Sequence, residues 1–138
     1  MSRVLLVEDE PLIAFDNEHF LGEEGFEIVA TVDRVKDALG VIGDGAGVDL
    51  VLVDVSLADG SGIDVARAAH GVGVAAMFVT GECPSGGEDV AHGCLSKPYA
   101  QRDLLAAIRA IEMVLDGRVP KRLPSGFRLF AKVEATKG

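Results

Sequence analysis

Two cysteines in 138 residues are too few for a disulfide framework, and neither sits in a CxxC or Cys/His spacing. Cys83 and Cys94 are therefore expected to be reduced, small packing residues rather than metal ligands. No apolar run approaches the ~20 residues that span a bilayer, so no membrane segment is expected. The N-terminus has no basic stretch followed by a long apolar one, so secretion is not expected and a cytoplasmic location is. Basic charge is scarce as well. The net charge is −9, yet residues 117–138 carry Arg118, Lys121, Arg122, Arg128, Lys132 and Lys137 against Glu134 alone. The preceding body is thus strongly acidic and a poor nucleic-acid binder.

What remains is ordinary for one soluble domain: 49% apolar and 25% charged residues in a chain long enough to bury a core. Apolar runs alternate with amphipathic ones. Strands are predicted at 4–7, 26–30, 50–53, 74–79 and, weakly, 94–95. Helices are predicted at about 11–24, 34–42, 62–69 and 101–115. Pro11 suits a first helical turn and Gly25 a helix end. Leu104, Ile108, Ile111 and Leu115 mark one face of the last helix. This alternation predicts an α/β fold, a parallel sheet covered by helices on both sides. Low complexity is confined to glycine-rich turns at 43–47 and 81–87.

The run Leu50-Val51-Leu52-Val53 ends abruptly in Asp54. A short apolar run of this kind reads as a strand buried on both faces. A carboxylate at its end costs free energy unless something pairs with it. Val4-Leu5-Leu6-Val7 likewise runs into Glu8-Asp9-Glu10. Sites in open parallel sheets form beyond the carboxyl ends of strands, so Glu8, Asp9, Asp54, Thr80 and Lys97 are expected to meet at one edge. Each signal is weak alone. Thr80 reads as a strand-end threonine, Lys97 as a solvated lysine, and Glu8-Asp9-Glu10 as acids favouring a helix N-terminus. Together they make a purely structural reading poor. His19, His70 and His92 lie outside these positions.

Taken in order, Val-Leu-Leu-Val-Glu8-Asp9-Glu10, Leu-Val-Leu-Val-Asp54, Asp59-Gly60-Ser61-Gly62, Phe78-Val79-Thr80-Gly81 and Lys97-Pro98-Tyr99 resemble a response-regulator receiver domain over residues 1–116, with 117–138 as a basic C-terminal extension. The Phe-Val-Thr-Gly and Lys-Pro-Tyr pieces are similar to a receiver subgroup with a Phe-Ala-Thr-Gly motif, whose members often work with HWE or related histidine kinases. The resemblance implies a flavodoxin-like, doubly wound, five-stranded parallel sheet of order 2-1-3-4-5. It implies a phosphoryl group accepted on Asp54 from a histidine kinase or phosphotransfer protein, with Thr80 and Lys97 contacting the phosphoryl group. Mg²⁺ is implied on Asp9, Asp54 and the backbone carbonyl of Ser56, with Glu8 acting through water. The chain is then no enzyme beyond catalysing its own phosphorylation and dephosphorylation. It is read as a stand-alone regulator, signalling by binding a downstream protein or relaying phosphate, with a homodimer possible. Competing readings are a phosphate-independent receiver-like binding module and an aspartate-based phosphatase. Ser56 stands where the latter wants a second acid, and intact Asp54, Thr80 and Lys97 oppose the former.

The chain departs from the family pattern in places. The usual aromatic three residues before the lysine is Cys94, and Tyr99 is a candidate substitute and equally a packing residue. The stretch from Thr80 to Lys97 is short and rich in glycine, with Pro84, so the fourth helix is expected to be short, displaced or poorly ordered. The switch is expected to act by ordering residues 81–93. Ser56 and Glu82 hold the positions that tune phosphate lifetime in the family. Phe127, Leu129, Phe130 and Val133 suggest an extension that either packs on the acidic body or a neighbour, or remains a flexible arm.

Overall fold

The computed structural model describes residues 1–130. In chain order the elements are β1 (Arg3–Val7), α1 (Pro11–Glu23), β2 (Glu27–Val32), α2 (Val35–Gly43), β3 (Leu50–Val53), β4 (Ser56–Leu57), β5 (Gly60–Ser61), α3 (Gly62–Gly71), β6 (Ala75–Thr80), β7 (Gly93–Ser96), α4 (Gln101–Leu115) and β8 (Phe127–Leu129). The main sheet runs β2-β1-β3-β6-β7-β8, and β4 and β5 form a separate two-stranded hairpin. Its first five strands are parallel, in the expected 2-1-3-4-5 order of a doubly wound sheet.

The period of two in each strand decides which core a side chain joins. Val4 and Leu6, Leu50 and Leu52, and Met77 and Val79 face α1 and α4, meeting Leu21, Leu104, Ile108 and Ile111. Leu5 and Val7, Val51 and Val53, and Ala76 and Phe78 face α2 and α3, meeting Ala38, Ile42, Val65 and Ala69. Both faces of β3 are therefore buried, which is why its four residues are all apolar. Asp59, in the β4–β5 turn, accepts hydrogen bonds from the backbone N–H of Val35 (2.7 Å) and Lys36 (3.1 Å), capping the start of α2.

Three features depart from the sequence reading. First, no helix lies between β6 and β7 among the described residues; the shortened fourth helix is absent. Gly86, Gly87 and Pro84 explain this, and the space over Phe78 is closed instead by Val90, Ala91 and Phe130. Second, the described part of the C-terminal extension adds a sixth strand. β8 pairs antiparallel with β7, Gly126 C=O accepts from Ser96 N–H (3.0 Å), and Phe130 N–H donates to His92 C=O (3.0 Å). The extension thus packs on its own body; Val133 lies outside the described residues. Third, Cys83 and Cys94 are joined by a disulfide, not reduced. Their separation of 11 residues gave no hint of it, because pairing depends on the glycine-rich segment folding back over β7. A cross-link of this loop size removes unfolded-state freedom worth about 3 kcal/mol.

Gly93 has no room for a side chain. A Cβ there would lie 2.6 Å from the Phe127 ring and 2.7 Å from the Arg128 carbonyl oxygen. Gly93→Ala is expected to lift β8 from the sheet at a cost of roughly 1–3 kcal/mol. Amide hydrogen exchange should then accelerate at Ser96 and Phe130, whose bonds tie β8 down; unchanged exchange at both would refute this packing account.

Candidate functional site

The site lies at the carboxyl ends of β1, β3, β6 and β7. Parallel register sets it. Val7 pairs with Val53, Val53 with Phe78, and Thr80 with Ser96, so the residues that follow each strand emerge side by side. Backbone bonds hold the strand ends: Asp54 N–H donates to Val7 C=O (2.9 Å), Glu8 N–H to Val32 C=O (2.9 Å) and Lys97 N–H to Thr80 C=O (2.8 Å). The Lys97–Pro98 peptide is cis.

Glu8, Asp54 and Thr80 are all buried. Lys97 Nζ reaches Asp54 Oδ2 at 2.9 Å, Glu8 Oε1 at 3.0 Å and Glu10 Oε1 at 3.4 Å. Asp54 Oδ1 accepts from Ser56 N–H (3.2 Å), and Glu8 Oε2 accepts from Glu10 N–H (3.1 Å). One cation thus serves three carboxylates, and the desolvated pocket keeps an excess of negative charge. Burial pushes the Glu8 carboxyl up to about 7, against the hydrogen bonds from Lys97 and the Glu10 N–H and the Lys97 charge; the nearby Asp54 charge adds to the rise. Burial alone would lower the Lys97 ammonium, but its hydrogen bonds to Asp54 and Glu8 outweigh that and hold it above the usual lysine range.

One oxygen from each of Glu8, Glu10 and Asp54 lies within 4.8 Å of the others. An all-oxygen, acidic donor set of this kind fits a hard cation such as Mg²⁺. Glu10 stands in this cluster, whereas Asp9 lines the groove beside Asp54. Thr80, Ser56, Gly81, Glu82 and Tyr99 line the same groove, whose volume is about 1070 Å³. Glu8 is not among the residues lining this groove and is linked to it through its ion pair with Lys97.

Sequence reasoning did not single out Asn17. It is buried on α1 between Ala14 and Leu21, and its Nδ2 donates to the Tyr99 hydroxyl at 2.7 Å. A polar residue in the buried stripe of a helix was the available signal. The bond ties α1 to the loop carrying Lys97 and gives Tyr99 an anchoring role. Gln101 Nε2 adds a second tie, to the Asp16 carbonyl (3.1 Å).

The raised Glu8 carboxyl fixes a pH dependence. An acid that holds its proton more tightly when folded stabilises the fold below its unfolded value, and that stability is lost as pH rises to its folded value. Without divalent cations, stability should fall between about pH 4.5 and about 7, the window set by Glu8, by up to about 3 kcal/mol. Asp49 and Asp59 are lowered by backbone N–H donors from Arg3 and Ser2, and from Lys36 and Val35. Their loss lies at lower pH, outside this window. Urea midpoints at pH 5 and 7.5, for wild type and Glu8→Gln, check this. The variant should lose the slope, and a slope retained in the variant would assign it to other groups.

With this geometry in view, the comparisons with known proteins converge. The family model for the response regulator receiver domain matches residues 4–109. The sensory transduction protein RegX3 of Mycobacterium tuberculosis is 38% identical over 117 residues, covering 80% of this chain and 51% of that protein. The transcriptional regulatory protein CpxR of Escherichia coli K12 is 32% identical over 117 residues, covering 80% of this chain and 49% of its own. The chain therefore spans about half the length of these curated relatives. Among solved structures, a CheY-like response regulator receiver domain protein from Methanospirillum hungatei superposes with a TM-score of 0.71 at 27% identity, covering 79% of this chain and 91% of that one. The response regulator TrrA of Thermotoga maritima, solved in complex with Mg²⁺ and BeF, gives 0.71 at 25% identity, covering 80% and 99%. No helix among the described residues is long and apolar enough to cross a membrane. A matched family model over most of the chain, a doubly wound sheet in the 2-1-3-4-5 order and an acidic pocket at its carboxyl edge lead to one conclusion: the chain belongs to the response regulator receiver domain family of two-component signalling.

Proposed function

We propose that Asp54 accepts a phosphoryl group from a phosphohistidine, on a histidine kinase of the HWE or a related type or on a histidine phosphotransfer protein. The carrying observation is the placement of buried Asp54 beside Lys97 Nζ, 2.9 Å away, with Thr80 on the neighbouring strand end. A carboxylate oxygen attacks phosphorus in line as the histidine nitrogen leaves, and the nascent aspartyl phosphate is held rather than hydrolysed at once. Lys97, released in part from Glu8 and Asp54, meets a phosphoryl oxygen as a point charge. The Thr80 hydroxyl, at the end of β6, turns to donate to another. Asp9, Asp54 and the Ser56 carbonyl, with Glu8 behind them, would hold Mg²⁺. Bound there, the ion neutralises the carboxylates so that an anionic donor can approach.

Leu12 and Phe15 stand exposed on α1, next to the groove lined by Ile13, Asp16 and His19. An exposed apolar pair on the helix that borders this groove suits a protein donor more than a small metabolite. The output is a phosphorylation-dependent contact with a downstream protein or onward relay of phosphate, in the cytoplasm. Residues 1–116 carry the receiver chemistry and 117–138 form the extension.

The test is incubation with acetyl phosphate and Mg²⁺ followed by intact mass. A gain of roughly 80 Da for one phosphoryl group is expected, and excess EDTA should prevent it. Full labelling in EDTA would contradict the metal requirement, and no labelling under any condition, with acetyl phosphate or a phosphohistidine donor, would remove the acceptor reading.

A further inference from the structure

Cys83 follows Thr80 by three residues, and Cys94 sits in β7 opposite Phe78. Their disulfide brings the two Cα atoms to 6.0 Å. It ties the segment carrying Thr80, Gly81 and Glu82 to the strand that leads into Lys97. All four residues line the groove that holds Asp54. The two sulfurs differ in access. Cys94 is fully buried, whereas Cys83 is only half-buried, with its Sγ 3.5 Å from Ser96 Oγ. No helix holds residues 81–92 in place. Apart from the disulfide they are anchored at their far end, by buried Val90 and Ala91, by hydrogen bonds from both of those amides to the Gly87 carbonyl, by Gly87 against the Phe78 ring, and by the His92 N–H on the Ala76 carbonyl (2.7 Å) with the Phe130 N–H on the His92 carbonyl. Beyond Thr80 itself, which β7 holds through the Lys97 N–H, the disulfide is the first of these restraints along the segment.

We propose that Cys83–Cys94 is a thiol-exchange site whose redox state sets how well the groove closes on a phosphoryl group at Asp54. The reductant is a dithiol of the small-molecule or protein class. Its thiolate attacks the accessible Cys83 sulfur, breaking the protein disulfide, and Cys94 departs as a thiolate that takes a proton. The second reductant thiolate then attacks the reductant sulfur in the mixed disulfide. Cys83 is released as a thiolate, with the Ser96 hydroxyl beside it as a donor, and is protonated in turn. Two electrons pass, the protein gains two thiols and the reductant becomes a disulfide. In a reducing compartment such a pair persists only transiently, as redox-sensing pairs do. Oxidised, the link pins Cys83, so the backbone donors at Gly81 and Glu82 cannot move toward a new anion on Asp54. Reduced, the segment regains its freedom and folds onto the phosphoryl group.

This inference rests on Asp54 as the acceptor, and the test separates the two. The full chain is prepared oxidised, and reduced with dithiothreitol, with thiols counted by alkylation and mass. Calorimetry then measures beryllofluoride binding in Mg²⁺ for both forms. The reduced form should bind roughly tenfold more tightly, the equivalent of about one further backbone hydrogen bond to the anion from Gly81 or Glu82, less the cost of ordering the freed segment. Cys83→Ser should match the reduced form with or without dithiothreitol; the wild-type pair alone carries the test if that variant does not fold. Equal affinity, weaker binding on reduction, or a pair that yields thiols only in denaturant overturns the redox proposal alone. Binding by neither form overturns the acceptor reading and this proposal with it.

Discussion

Asp54→Asn will abolish phosphoryl labelling by acetyl phosphate, leaving a folded protein with no mass gain. The amide has nearly the shape of the carboxylate but is a poor nucleophile, so the change removes the attacking group with little change in volume. The strand end survives because it is held by the main chain, Asp54 N–H to Val7 C=O at 2.9 Å. Lys97 keeps Glu8 and Glu10 as partners at 3.0 and 3.4 Å. The loss should therefore be of chemistry and not of fold, which circular dichroism and a melting curve can confirm. Beryllofluoride binding should fail as well, since it needs the same oxygen. Undiminished labelling of the variant would move the acceptor elsewhere.

Gly62→Ala is expected to have the largest effect on the fold. Gly62 opens α3, and its N–H donates to the Val55 carbonyl at 2.8 Å. An added Cβ would overlap the Asp54 carbonyl oxygen, and it would lie 2.9 Å from both the Asp54 carbonyl carbon and Val53 Cγ2. Neither the buried strand end nor the helix start can yield without moving the other. The cost should reach about 3 kcal/mol, the upper end for overpacking, which for a chain of this size lowers the melting temperature by roughly 10 °C. Because the collision is with the backbone of Asp54, labelling should also slow. At Gly71, the far end of the same helix, an added Cβ would meet nothing within 4 Å. Gly71→Ala should leave stability unchanged or raise it by about 0.5–1 kcal/mol. Equal stability of the two variants would defeat the packing argument.

The strand and helix pattern was legible because each element carries its own period. β3 was read to the residue from four apolar side chains, and α4 from the face of Leu104, Ile108 and Ile111. The meeting of Glu8, Asp54, Thr80 and Lys97 was legible too, because each stands at the end of an apolar run and parallel strands align their carboxyl ends. Gly62 was legible only as part of a motif. Its reason, a helix N-terminus against the Asp54 carbonyl, is a contact between two elements.

Other features depended on contacts between segments distant from one another or on competition among neighbours. Sequence order puts Asp9 and Glu10 side by side, but only the turn after β1 decides that Glu10 joins the close carboxylate cluster and Asp9 lines the groove. Asn17 and Tyr99 lie 82 residues apart, and no local period links them. The Cys83–Cys94 bond and strand β8 follow from the missing fourth helix. Glycine and proline after Thr80 removed that helix, which the sequence alone could indicate. What filled the vacant side of Phe78 was decided by tertiary packing: Val90, Ala91 and Phe130 moved in, and β8 covered the edge of β7. Local sequence determined the elements and the strand-end chemistry, because both depend on near-neighbour periods. The tertiary structure decided the pairing of the cysteines and the covering of the open sheet edge, because both depend on which distant groups are left to bury.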